Sequence, residues 1–338
     1  MQRRKWLLTV ARFSVAGALL AWLAFSGVID WHALTALLDA RTVVATLALA
    51  SLGHVLTCWR LTVLLVPLGF RLTVPASVRL GLIGVFFNTC LPGGASGDAV
   101  RIYYGMSENR GRRLDIATAM LLDRMVGLAA LLMWPVLAAT AFPGLVRESA
   151  LLQGLLILLG GGSLAVLLVL MLLVSGSGML GAFAARLSAR WAAARNLERA
   201  VGVVQVFGRA RRRLLAAFLI SLMAHTLAFS ATLVIAHAVT PRFAWEMALL
   251  LPAGFLANAL PLTPGGLGVG EAALDGLFRS AGLDGGAEIL LGWRFAILSL
   301  ALAGLAVYLR GQRRFIFDLR APADVDEPTL VRARGAMT

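Results

Sequence analysis

Two acidic residues each stand just after a glycine-rich break in an apolar stretch, and an arginine follows each one inside the next apolar run. Asp98 comes after Pro92-Gly93-Gly94 and Gly97, and Arg124 lies 26 residues further on. Glu271 comes after Pro264-Gly265-Gly266, Gly268 and Gly270, and Arg294 lies 23 residues further on. An asparagine precedes each break, Asn88 and Asn258. These residue types suit anion chemistry. A guanidinium donates two parallel hydrogen bonds to a phosphate or a carboxylate. A helix that restarts after a break aims free N–H groups and a positive dipole end at the break. Glycine lets another group approach the backbone closely. Either Arg124 and Arg294 hold a phosphate, or they pair with Asp98 and Glu271. The plainer alternative is that Pro and Gly turn a tight hairpin whose acidic residues complement a helix N-terminus.

Asp123 and Arg124 are neighbours about ten residues into an apolar run, which places them near a bilayer midplane by the helix rise. Buried charge there is costly unless paired. Adjacent helical residues point about 100° apart, so the two need different partners. The candidate headgroup- or phosphate-binding residues are therefore Arg124, Arg294 and Arg101, with Gly93, Gly94, Gly97, Gly265, Gly266, Gly268, Gly270, Asn88 and Asn258. Asp98, Asp123 and Glu271 are candidates for proton coupling or ion pairing. Arg101 either holds a headgroup from the cytoplasmic side or is an ordinary cytoplasmic arginine. Arg60, in the last third of its run, reads as an arginine that snorkels to the interface.

The surroundings of these residues decide what they can do. The chain has 338 residues, 59% hydrophobic and only 14% charged, where a soluble domain carries about a quarter charged. Its mean hydropathy is +0.84. Several apolar runs reach the roughly 20 residues that span a bilayer. The fold class is all-α, a polytopic membrane protein. The net charge of +14 invites a nucleic-acid reading, but the arginines lie in short loops between apolar runs, where membrane topology accounts for them. Lys5 is the only lysine, which excludes a Walker A loop and an internal Schiff base. Cys58 and Cys90 have no metal or redox spacing and read as buried small apolar residues. His54, His225 and His237 have no ligand spacing and read as packing or interfacial residues. No metal or cofactor is expected.

Full spans are expected near 6–28, 42–68, 114–141, 149–175, 214–239 and 287–309. The basic start and long apolar run at the N-terminus read as an uncleaved first span rather than a signal peptide. Two shorter pieces, 76–91 and 245–260, end at the breaks. The first would reach about 24 Å as a helix, less than a hydrocarbon core of about 30 Å. With the N-terminus inside and each short piece entering and leaving on one side, 23 Lys and Arg residues face inward and 4 face outward. A full span at 76–91 would instead turn the arginine-rich loops 99–113 and 176–213 outward, against the positive-inside rule. The expected architecture is six spans and two re-entrant hairpins, with both termini cytoplasmic in a bacterial-type inner or plasma membrane.

The matched breaks divide the chain into two similar halves. Residues 1–147 form the first, with its break at 91–98, and residues 148–310 form the second, with its break at 260–271. Three spans per half is an odd number, so the second half is inverted. Inverted repeats with broken helices near the midplane mark many secondary transporters. Non-helical backbone survives at membrane depth only where protein buries it or a wet cavity receives it. Residues 176–213 form a basic cytoplasmic connector. Its apolar positions Leu187, Trp191, Ala194, Leu197, Val201 and Val204 predict an amphipathic helix on the inner membrane surface. Residues 311–338 form a cytoplasmic tail that is basic at first and reads as disordered from about 320.

The stretches "NTCLPGGASGDAVRIYY", "AMLLDRMVGL" and "LPLTPGGLGVGEAAL" resemble the family of lysylphosphatidylglycerol synthase transmembrane regions, also called flippase-like membrane proteins. The resemblance runs through most of 10–310. It implies the lipid-translocating part of such proteins, which in members with a cytosolic aminoacyl-transfer domain moves an aminoacylated phosphatidylglycerol outward. That domain has no counterpart expected in these 338 residues, so no enzymatic activity is expected. Asp123 departs from the glutamate more common in the family before the arginine. The expected function is a lipid translocase for a phosphate-containing lipid or lipid-linked intermediate, with membrane phospholipids as partners and no nucleic acid. Two alternatives stay open: a non-transporting partner of lipid- or glycolipid-modifying proteins, and a membrane enzyme acting on lipid phosphate. A transporter of small soluble ions would share the architecture.

Overall fold

The computed structural model describes residues 35, 37–90, 96–175, 194–240, 243–259, 263, 266–310 and 318–319. In chain order the described helices are α1 (Ala40–Leu65), α2 (Val74–Cys90), α3 (Ser96–Glu108), α4 (Arg113–Ala139), α5 (Pro143–Glu148) and α6 (Ala150–Val174). They continue with α7 (Ala194–Arg209), α8 (Arg211–Val239), α9 (Glu246–Asn258), α10 (Val269–Ser280) and α11 (Gly286–Leu309). Five of them, α1, α4, α6, α8 and α11, are long and apolar enough to cross a bilayer. The chain is an all-α polytopic membrane protein. The expected span 6–28 and the tail from 320 lie outside the described residues.

Local sequence sets several of the helix ends. The Asp39 carboxylate accepts the Thr42 backbone N–H at 3.0 Å and opens α1. Ser149 does the same for α6 through the Leu152 N–H at 3.3 Å. Each satisfies a donor that the first helical turn leaves unpaired. Pro135 and Pro252 sit inside α4 and α9, where a membrane bundle tolerates the lost hydrogen bond.

Burial separates the helices by role. On α6, Ile157, Leu158, Leu164, Leu168, Val169, Met171 and Leu172 are exposed, the face that hydrocarbon would cover. On α9, Met247 to Leu251 are all buried, so this short helix is enclosed on every side. The interior has two cores. Leu61, Leu64, Leu80, Ile83, Ile116 and Phe207 belong to the first, and Phe229, Met247, Leu250, Leu274, Phe278 and Ile289 to the second.

The two broken pairs, α2–α3 and α9–α10, each pack arm against arm. α2 then lies on α11, and α9 lies on α4, so the first arm of each pair rests on the long helix that follows the other pair. The α2–α11 crossing is close: a Cβ on Gly304 would stand 2.0 Å from the Leu82 carbonyl oxygen. Small residues allow such approach between membrane helices. α1 and α8 pack along each other, with Gly53 facing the Ala224 carbonyl.

Two expectations about burial are corrected. α7 is helical; Leu187 and Trp191 of the expected stripe lie outside the described residues, while Val201 and Val204, with Phe207, are buried where α7 packs on α4 and α6. An amphipathic period states that one face is apolar and leaves open whether protein or membrane covers it. Cys90, expected to be buried, is exposed at the end of α2, while Cys58 is buried. Finally, β1 (Phe70–Arg71) pairs antiparallel with β2 (Asp318–Leu319), Phe70 opposite Leu319. The loop after α1 and the segment after α11 thus share one end of the bundle.

Candidate functional site

The first break lies between Cys90 and Ser96. Residues 91–95, with Gly93 and Gly94, lie outside the described residues. Across the gap the Gly97 N–H donates to Asn88 Oδ1 at 2.7 Å, and the Ser96 hydroxyl donates to the Phe87 carbonyl at 2.9 Å. A Cβ on Gly97 would stand 1.9 Å from the Gly84 carbonyl oxygen, so only glycine permits this contact between the arms. Asp98 occupies the first turn of α3, where a carboxylate complements the positive helix end. It pairs with Arg124 of α4. Arg101 Nη1 lies 3.5 Å from the same Asp98 oxygen, and the Arg101 side chain is only 11% exposed. Its stem lies against Gly84, so Arg101 turns inward rather than toward an open surface.

The second break repeats the plan. Asn258 ends α9, and α10 starts at Val269. Gly265 lies outside the described residues. Gly266 and Gly268 have φ of +72° and +80°, a region that side-chain-bearing residues avoid. A Cβ on Gly270 would stand 2.8 Å from the Asn258 Cβ. Glu271 is fully buried. Its Oε2 accepts the Gly268 N–H at 2.9 Å and an Arg294 Nη2 donor at 3.0 Å, while Arg294 Nε donates to Oε1. Arg294 Nη2 also donates to Asn258 Oδ1 at 2.8 Å. In both broken pairs, an asparagine closes the first arm, a glycine of the second arm lies on it, and a carboxylate one residue later takes an arginine from the next long helix.

The two broken pairs and the long helices that follow them line a partly open cavity of about 560 Å³. Asn88, Thr89 and Arg124 reach it from the first broken pair and α4, and Asn258, Ala259 and Arg294 from the second broken pair and α11. Leu291, Trp293, Phe295 and Leu298 supply much of its apolar wall. A smaller cavity of about 330 Å³, lined by Asp98, Arg101, Met120, Leu121 and Arg124, adjoins through Arg124. The two arginines differ in freedom. The Arg124 side chain is 51% exposed and its ion pair uses one amino nitrogen. The Arg294 side chain is 21% exposed and is engaged by Glu271 and Asn258. A half-exposed guanidinium keeps donors for an incoming anion; a fully engaged one fixes the groups around it.

Asp123 does not face the cavity. It takes a two-point ion pair from Arg60 of α1, Nε to Oδ1 at 2.7 Å and Nη2 to Oδ2 at 2.9 Å. Arg60 Nη1 donates to the Ser221 hydroxyl of α8 at 3.0 Å. Arg60 is 5% exposed and Asp123 1%, which corrects the expectation that Arg60 snorkels. Position along a helix gives depth but not the partner helix, and Ser221 lies 161 residues away. The only hint in the sequence was Asp123 itself, a midplane carboxylate that needed a cation. Two histidines have ordinary neighbours. His54 Nε2 lies 3.5 Å from Cys58 Sγ, and His225 Nε2 lies 3.1 Å from the Gly127 carbonyl.

Long apolar helices with shorter helix pairs packed among them define a multi-pass integral membrane protein. Residues 8–304 match the model of the lysylphosphatidylglycerol synthase TM region, and the chain belongs to that family, a family of lipid-related membrane proteins. No curated protein and no solved structure matches the chain.

Proposed function

We propose that the protein is a lipid translocase that moves a phosphate-bearing lipid between leaflets. One observation carries the proposal: the ends of both first arms, at Asn88 and Asn258, and both Arg124 and Arg294 line one cavity. A cavity with guanidinium and amide donors inside an apolar wall suits a headgroup phosphate, with tails left in hydrocarbon. In this reading Arg124 contacts the phosphate. Arg294 is a positioning residue that ties Glu271 to Asn258. Asp98 competes with the phosphate for Arg124 and carries a proton if transport is coupled. The two broken pairs are re-entrant hairpins of an inverted repeat, 1–147 and 148–310, entering from opposite sides with both termini cytoplasmic. Their crossed packing supports that reading. Midplane sites at a repeat interface, built from discontinuous helices, are the architecture of alternating access.

The test is leaflet exchange of fluorescent phospholipids in liposomes holding the purified protein, with and without a proton gradient. Exchange that Arg124→Gln lowers about tenfold or more at unchanged folding is the expected result. Equal exchange in the wild type, in Arg124→Gln and in protein-free vesicles overturns it. The protein is then a non-transporting partner of lipid-modifying proteins, in which substitutions at the breaks harm no more than those on outer faces.

A further inference from the structure

Arg101 is held deep in the protein yet barely engaged. Its stem fills the space that Gly84 of α2 leaves open: a Cβ on Gly84 would stand 2.7 Å from the Arg101 Cδ. Its hydrogen bonding among the described residues amounts to Nη1 donating to Asp98 Oδ1 at 3.5 Å, beyond the ordinary range of such a bond. Nε is buried and has no partner among those residues. A guanidinium has five donors, and a buried one with a single long bond is undersatisfied.

Asp98 is the group that two arginines share. Arg124 donates to the same Oδ1, and Oδ2 accepts from neither arginine. Asp98 and Arg101 stand three residues apart on α3, neighbours on one helix face. The carboxylate therefore reaches Arg101 by turning its own side chain, with the helices still. Asp98, Arg101 and Arg124 all line the 330 Å³ cavity, which gives that turn its space. The other interior charges are matched one to one, Glu271 with Arg294 and Asp123 with Arg60. The cluster of Asp98, Arg101 and Arg124 sets two positive charges against one negative, so it is one anion short.

We infer that Arg101 is a positioning residue that receives Asp98 when a phosphate engages Arg124. The inference rests on the part of the translocase reading that puts the lipid phosphate on Arg124. Phosphate binding takes Arg124 away from Asp98, and a carboxylate left without a cation at membrane depth is costly. Arg101 removes that cost. Two arginines then hold two anions, Asp98 on Arg101 and the phosphodiester, with its single negative charge, on Arg124. Arg101 acts on the lipid through Asp98 and does not touch it.

The experiment titrates the full chain, purified in detergent, with phosphatidylglycerol and counts bound lipid by native mass spectrometry. Arg101→Gln is expected to weaken binding about tenfold, the worth of a charged hydrogen bond, because the bound state loses the partner of Asp98 and the free state loses only a long contact. Arg101→Lys, which keeps the charge, recovers most of that loss. In the Asp98→Asn background no carboxylate needs receiving, so adding Arg101→Gln changes binding by less than about twofold. An equal loss in both backgrounds means that Arg101 touches the headgroup, and overturns the inference. So does unchanged binding in Arg101→Gln, as when a proton rather than Arg101 neutralises Asp98. Where Arg101→Gln fails to fold, a crystal structure of the wild type with phosphatidylglycerol bound decides. Asp98 within about 3 Å of Arg101 and released from Arg124 is expected; Asp98 still on Arg124 overturns the inference. No lipid bound by the wild type overturns it as well, and leaflet exchange, measured separately, then decides the translocase. Exchange with Asp98 still on Arg124 sinks this inference and spares the translocase. Transfer of Asp98 to Arg101 without exchange keeps the inference and sinks the translocase.

Discussion

Arg60 and Asp123 form a two-point ion pair in the apolar interior, and Ser221 takes the remaining Arg60 amino group. Three long helices, α1, α4 and α8, are thereby joined by charge-assisted hydrogen bonds far from water. Removing one partner of such a pair leaves a buried charge uncompensated. Asp123→Asn and Arg60→Met are each expected to destabilise the protein by about 3–5 kcal/mol, read as a lower unfolding temperature in detergent. The double variant Arg60→Met with Asp123→Leu should recover most of the loss. A double variant as unstable as either single one would show that the pair does not act as a unit.

Arg124 and Arg294 should separate by phenotype. Arg124→Gln keeps the fold, because the side chain is half exposed, and lowers leaflet exchange about tenfold or more, the worth of a charged hydrogen bond. Arg294→Gln loosens Glu271 and Asn258 together and lowers thermal stability as well as exchange. Measuring both quantities for both variants checks this. Equal stability loss in the two would contradict the assigned roles.

Gly97 is expected to tolerate nothing larger. Gly97→Ala forces the arms of the first broken pair apart, since its Cβ would stand 1.9 Å from the Gly84 oxygen. A cost of about 1–3 kcal/mol or more follows from overpacking. Gly111→Ala, where a Cβ meets nothing within 4 Å, serves as the control and should leave the unfolding temperature nearly unchanged. Fluorescence-detected size-exclusion after heating reads both.

The connector helix gives a fourth test. Phe207 is fully buried, so Phe207→Ala should cost about 3–5 kcal/mol. Its neighbour Val206 is 39% exposed, and Val206→Ala should shift the unfolding midpoint far less. Similar small effects for both would mean that α7 is seated on the membrane surface rather than on α4 and α6.

Spans, breaks and the partners available to the midplane arginines were legible because each follows from local chemistry. Apolar length marks the spans at 42–68, 114–141, 149–175, 214–239 and 287–309, and Pro-Gly clusters mark the breaks. A carboxylate at a break, one long helix before an arginine, offered the partners that Asp98–Arg124 and Glu271–Arg294 use. What escaped depends on which faces meet. Asn88 caps Gly97 only because the two arms fold back side by side. Arg60 finds Asp123 only because α1 packs against α4. The seat of α7 escaped for the same reason. Hydrophobic period has no term for the partner, and in a membrane chain lipid and protein satisfy it equally.

The crossed packing of α2 on α11 bears on how the protein is made. Translation delivers α2 and α3 to the bilayer while Gly304, the residue that Leu82 closes upon, is still 196 residues beyond the end of α3. Until α11 arrives, α2 is covered by α1 but not on the face that meets α11, and Asn88 and Arg124 look onto a site that lacks its second wall. The nascent first half is therefore an unfinished object with polar groups at membrane depth. A chain truncated before α11 should be a target for membrane quality control rather than half of a working protein.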